Sequence, residues 1–193
     1  MRTATITRQT RETDIALTLN LDGTGTHEIA TGIAFFDHML AAFAVHGGFD
    51  LAVTARGDLA VDGHHTVEDV GIVLGQAFSR ALGDKSGVAR FGECLLPMDE
   101  ALARAVVDLS GRAFLVYDAT FSGAMLGGYD PTLTEEFLRA LTTHAAITLH
   151  ARVEYGRNDH HKCEALFKAV ARALRAATRE TGAGVLSTKG TLT

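Results

Sequence analysis

A chain of 193 residues with 47% hydrophobic side chains is long enough to bury a core, and its formal net charge of −5 without a basic run excludes the usual nucleic-acid binder. No apolar stretch reaches membrane-spanning length, and the N-terminal MRTATITRQTRETD lacks the apolar centre of a signal peptide. Two cysteines, Cys94 and Cys163, make no disulfide framework, so a reducing, cytoplasmic setting is expected.

Residues 4–8 and 14–21 alternate apolar and polar side chains, as paired strands do. Asp22-Gly23-Thr24-Gly25 signals a turn, and a short strand around 27–29 follows. Residues 35–45 carry apolar side chains at helical spacing until Gly47-Gly48 stops them. Residues 51–54 read as a strand, 56–63 as a polar loop, and 64–82 as a helix broken by Gly83-Asp84-Lys85-Ser86-Gly87. Beyond it, 101–109 and 114–117 read as strands and 122–131 as a long Gly-rich loop. A helix over 133–145 with Thr132 as its cap, a strand over 147–153, a loop over 154–159 and a helix over 160–179 follow.

Both long helices open on the same box. His64-His65-Thr66-Val67-Glu68 and His160-His161-Lys162-Cys163-Glu164 each set two histidines ahead of a glutamate. On a helix, residues three and four apart share a face, so each glutamate converges with one or both of its histidines. Neutral imidazoles and a carboxylate are ligands for a divalent transition ion. One such box alone is ordinary helix-start polarity; two of them point to metal.

The boxes begin at 64 and 160, an offset of 96, and His38 through Phe43 lies over Glu136 through Leu141 at an offset of 98. His46 then lies over His144, and Glu12 through Gly23 falls opposite Glu100 through Gly111. Self-similarity of this kind means a duplicated unit. The unit reads strand–strand–(strand)–helix–strand–helix, over about residues 1–90 and 91–193. The expected class is α+β, with mixed sheets packed against helices. Each half offers one histidine or glutamate (His38, Glu136), a His-His pair and a box glutamate, enough for two metal sites.

Phe36-Asp37-His38-Met39-Leu40, Asp62-Gly63-His64-His65-Thr66-Val67-Glu68-Asp69, Asp108-Leu109-Ser110-Gly111-Arg112, Asn158-Asp159-His160-His161-Lys162-Cys163-Glu164-Ala165 and Ser187-Thr188-Lys189-Gly190 carry a resemblance. Together they resemble the imidazoleglycerol-phosphate dehydratases of histidine biosynthesis, over essentially the whole chain and in the monofunctional form. The resemblance implies a duplicated, ribosomal protein S5 domain 2-like fold. It also implies a homo-oligomer, a 24-mer of octahedral symmetry, with active sites between subunits and two Mn2+ per subunit. The implied reaction removes water from D-erythro-1-(imidazol-4-yl)glycerol 3-phosphate to give 3-(imidazol-4-yl)-2-oxopropyl phosphate.

The metal ligands implied are His38, His64, His65, Glu68, His160, His161, Glu164 and Glu136. Many members carry His in the place of Glu136; a hard oxygen ligand suits Mn2+, and Glu135 is an alternative there. Glu12 is implied as general acid/base. Arg90, Arg112, Lys168 and Lys189 are the implied phosphate cations, with Ser187 donating a hydrogen bond and Thr188 beside it; His46 and Asp99 are further substrate contacts. Read from the residues alone, Glu12 is an exposed strand charge, His46 a helix C-terminal residue favoured by the dipole, and Lys189 a tail residue without a role. By the same reading His144 and His150 are structural, Cys163 packs, and the glycines between 123 and 128 lack the Lys and spacing of a phosphate-cradling loop.

The chemistry gives a reason for a doubled ligand set. The proton to be removed sits on a carbinol carbon with no neighbouring carbonyl. An imidazole ring whose N–H is acidified by metal can expel the adjacent hydroxyl, and the next carbon's proton then becomes acidic. The ring has two nitrogens, one for each of two metals. A dinuclear metallohydrolase of a small phosphorylated metabolite would also use paired metals, but such sites lean on Asp, whereas this set is His with Glu. A non-enzymatic metal-storage shell would have no need for Arg112, Lys168 and Lys189 to converge on an anion.

Overall fold

The alternating N-terminal segments form a hairpin: β1 (Thr3–Gln9) runs antiparallel to β2 (Thr13–Asn20), with Thr3 opposite Asn20 and Gln9 opposite Asp14. A computed structural model describes residues 2–182 and 184–192 of the chain. β3 (His27–Ala30), α1 (Ala34–Gly47), β4 (Asp50–Gly57) and α2 (His64–Leu82) complete the first half. The second half runs β5 (Phe91–Met98), β6 (Ala101–Asp108), β7 (Phe114–Asp118), α3 (Leu133–Ala145), β8 (Thr148–Tyr155) and α4 (Asp159–Thr178).

The two four-stranded sheets have the same order, β1-β2-β4-β3 and β5-β6-β8-β7. Each is mixed, because β3–β4 and β7–β8 are parallel pairs and the rest are antiparallel. β2 and β6 correspond residue for residue: Thr13 to Ala101 and Asn20 to Asp108 are both 88 apart (101 − 13 and 108 − 20). The α+β class with sheets packed against helices is therefore the observed one.

One face of each sheet is buried, as the alternation of Ile15, Leu17 and Leu19 on β2 and of Ala103, Ala105 and Val107 on β6 requires. The helices meet across the halves: α1 packs on α4, and α2 on α3. The second contact is close because α2 presents Gly71 and Gly75. A Cβ on Gly71 would lie 2.7 Å from the Phe137 carbonyl oxygen, and one on Gly75 would lie 2.6 Å from that of Leu141. Phe36, Phe137 and Phe167 stack through the centre, with Phe36 edge-on to Phe137 at 5.4 Å and Phe137 stacked on Phe167 at 5.3 Å.

Two expectations need correction. Residues 91–98, left unread in the sequence, form β5; Gly92 and Pro97 interrupt its pattern, which an edge strand tolerates. Thr132 occupies the N-cap position of α3 but makes no cap bond; its hydroxyl donates instead to Asp130 Oδ1 at 2.7 Å.

Candidate functional site

The HHxxE boxes sit on the first turns of α2 and α4, where local hydrogen bonds fix them. The Asn158 carboxamide oxygen accepts from the backbone amides of His160 and His161, a true N-cap, and Asp62 Oδ1 accepts from the His64 amide at 2.8 Å. Asp159 is buried against Lys162 at 2.6 Å and accepts from Ser122, which anchors the start of α4.

Because α1 lies on α4, His38 of the first half reaches the second-half box. His160 Nε2 lies 3.0 Å and His38 Nε2 3.3 Å from Glu164 Oε2. Among the described residues these three are the one group of three His, Cys, Asp or Glu whose ligand atoms all lie within 4.8 Å of one another. Phe35 meets the His160 ring edge-on at 5.0 Å and walls one side of the cluster. Two imidazole nitrogens and a carboxylate oxygen fit a divalent transition ion with coordination positions left for other ligands. Burial pushes the Glu164 carboxyl up, but the Lys168 ammonium at 2.5 Å and the two imidazoles outweigh it and hold it below the ordinary carboxylate value. Lys168, implied as a phosphate cation, thus neutralises a candidate ligand here.

The first-half box is looser. His64 Nε2 and Glu68 Oε2 are 3.7 Å apart at i,i+4 on α2. Glu136, on the first turn of α3, points at Arg139 (4.0 Å), as does Glu135, which is ion-paired to it. Neither joins His64 and Glu68 in a three-ligand cluster. His65 and His161 also stay out of the His38 cluster, each drawn off by a carboxylate. His65 Nδ1 lies 3.0 Å from Asp58 Oδ2, and His161 Nδ1 lies 2.7 Å from Glu100 Oε2. These hydrogen bonds raise both imidazoles above the ordinary histidine value. Glu100 is held at about 2, first by His161 and then by the amides of Asn158 and Arg157.

Glu12 lies in the β1–β2 turn, exposed, with Oε2 3.9 Å from His65 Nδ1. Asp99, in the β5–β6 turn, has Oδ2 3.6 Å from His161 Nε2. A separate cavity of about 970 Å³ is lined by Arg90, Ser110, Arg112, Ser187, Thr188 and Lys189, so the implied phosphate group is gathered there apart from Lys168. Arg90 is committed within it, bonded to Asp108 at 2.8 and 3.2 Å and to the Leu186 carbonyl. His46, at the end of α1, lines a different cavity of about 610 Å³ with Arg172 and Arg175; burial lowers its basicity, with Lys168 and Arg172 adding to the effect. His144 Nδ1 donates to the Ala140 carbonyl within α3, and the Cys163 thiol, pushed up to about 12 by burial, packs. Asp58 and Glu100 were missed in the sequence. The signal for Glu100 was its alignment with Glu12; Asp58 left none, since the residue 98 further on is Gly156 (156 − 58).

Comparison with known proteins shows the family. The family model described as imidazoleglycerol-phosphate dehydratase matches residues 31–174. The imidazoleglycerol-phosphate dehydratase of Lacticaseibacillus casei (strain BL23) is 60% identical over 194 residues, covering 100% of both chains. The solved structure of the Staphylococcus aureus subsp. aureus N315 enzyme superposes with a TM-score of 0.84 at 39% identity, over 93% of this chain and 99% of that one. That of Pyrococcus furiosus gives 0.85 at 40%, over 97% and 100%. A chain that places His38, His160 and Glu164 together on this duplicated frame, and matches these relatives end to end, belongs to the imidazoleglycerol-phosphate dehydratase family of hydro-lyases.

Proposed function

We propose that this chain dehydrates D-erythro-1-(imidazol-4-yl)glycerol 3-phosphate to 3-(imidazol-4-yl)-2-oxopropyl phosphate in L-histidine biosynthesis, in the cytoplasm, as one catalytic domain of two repeats. The observation that carries the reading is the convergence of His38, His160 and Glu164 from the two halves. In this reading two Mn2+ per subunit are held, one by that cluster and one by His64 and Glu68 with Glu136, while His65 and His161 complete sites of neighbouring subunits in a homo-oligomer, a 24-mer. The rings of His65 and His161, turned away from the cluster of their own chain, support this, as do Phe91, Leu95, Phe114 and Tyr155, large apolar side chains left exposed.

Metal held by His38, His160 and Glu164 would supply positive charge that makes the substrate ring's N–H more acidic, which is what release of the adjacent hydroxyl requires. Glu12 supplies a proton to that leaving hydroxyl and then removes the proton of the next carbon, one carboxyl serving both steps. The resulting enol tautomerises to the ketone. Arg112, Lys189 and Ser187, which line one cavity, hold the phosphate. His46 and Asp99 serve as further substrate contacts, and Lys168 balances the charge of Glu164.

The test is to strip metal from the purified protein, restore Mn2+ and supply the imidazole glycerol phosphate. The enol–ketone product should form with Mn2+ and stop without it. Release of inorganic phosphate in its place would establish the hydrolase reading, and no product from fully loaded protein would sink the proposal.

A further inference from the structure

The two halves treat their second box histidines alike but with unlike parts. His65 and His161 are equivalent in the repeat (161 − 65 = 96), and each has Nδ1 taken by a carboxylate. The carboxylates are not equivalent. Asp58 directly follows β4, and its counterpart in the second half is glycine. Glu100 sits in the β5–β6 turn, and its counterpart is Glu12 (100 − 12 = 88), which stands 3.9 Å from His65 rather than bonding it. A fold-supporting contact copied in the duplication would have kept its residue. Here the same hydrogen bond was reached from two different places in the chain.

The geometry points to Asp58 and Glu100 as positioning residues for His65 and His161. A carboxylate on Nδ1 keeps the proton there, fixes the ring's rotation and leaves the Nε2 lone pair more basic and available to a metal, with Asp99 Oδ2 standing 3.6 Å from that nitrogen in His161. The inference rests on the reading that these histidines are metal ligands. It also divides labour between the repeat partners Glu12 and Glu100. Asp58 holds His65 and so leaves Glu12 free for the substrate, whereas Glu100 is spent on His161 and on the amides of Arg157 and Asn158, at 3.0 and 2.8 Å.

The test uses the full chain, with Asp58→Asn and Glu100→Gln, dialysed against chelator-buffered Mn2+ and assayed for bound manganese per subunit. Glutamine at 100 keeps a carbonyl for the two backbone amides, so the loop before α4 stays closed. Each variant should need about 10- to 100-fold more free Mn2+ to half-fill its site, the range such partners are worth. In a His65→Gln background, Asp58→Asn should add less than about twofold, because its effect passes through that ring. Wild-type affinity in both variants, or an equal loss with and without His65, would overturn the positioning roles. Wild-type protein that takes up no manganese at all would overturn the metal reading and this inference together.

Discussion

Glu12→Gln protein should assemble and hold its metal like the wild type while kcat falls by about 10²- to 10⁴-fold, the range for loss of a positioned acid/base. The side chain lies in the β1–β2 turn and makes no hydrogen bond to another described residue; its one close charged neighbour is His65. Nothing in the fold therefore depends on its carboxylate. Glutamine has the same shape and can still hydrogen-bond a hydroxyl, but it can neither give nor take a proton. The repeat partner cannot substitute. Glu100 is held at about 2 by His161 and two amides, so it carries no proton near neutrality. Steady-state turnover with bound manganese measured in the same sample checks this. Unchanged kcat would remove Glu12 from the chemistry, and lost manganese would make it a structural residue instead.

Glu164→Gln should have the larger effect on the metal. Glu164 is nearly buried, and one oxygen faces both His38 and His160 while the other is bonded to Lys168. Removing its charge takes away the anionic ligand and leaves the Lys168 ammonium facing two imidazoles and a would-be cation. Manganese affinity at this cluster should fall by more than about 100-fold, since even the partners behind a ligand are worth 10–100-fold. Glu68→Gln should weaken its site less, because Glu68 is half exposed, 3.7 Å from His64, and has no lysine whose charge is left unbalanced. Equilibrium dialysis of the two variants side by side checks the order. Equal losses would contradict the asymmetry between the clusters.

Much of this was legible in the sequence. A box of His-His and Glu at helical spacing needs only local geometry, so α2 and α4 and their candidate ligands could be read directly. The offsets of 96 and 98 gave the duplication and matched His38 to Glu136. What could not be read is which helix crosses to which. α1 packing on α4, and so the partnership of His38 with His160 and Glu164, is set by tertiary contacts between the halves that no local spacing encodes. β5 escaped notice because an edge strand tolerates Gly92 and Pro97, which read as breakers. Asp58 escaped because its repeat counterpart is Gly156, and Glu100 because a hydrogen bond across loops, rather than a spacing, ties it to His161. Ser187, Thr188 and Lys189 gave no signal of their own, and only the resemblance singled them out beside Arg112, with which they line one cavity.

The central claim is that ligands from both halves of the duplication meet to hold two manganese ions. Anomalous diffraction at the manganese edge, on crystals of the Mn2+-loaded protein, tests it most directly. Two peaks per subunit are expected, one ringed by His38, His160 and Glu164 and the other beside His64 and Glu68. A single peak, or peaks away from both boxes, would contradict it.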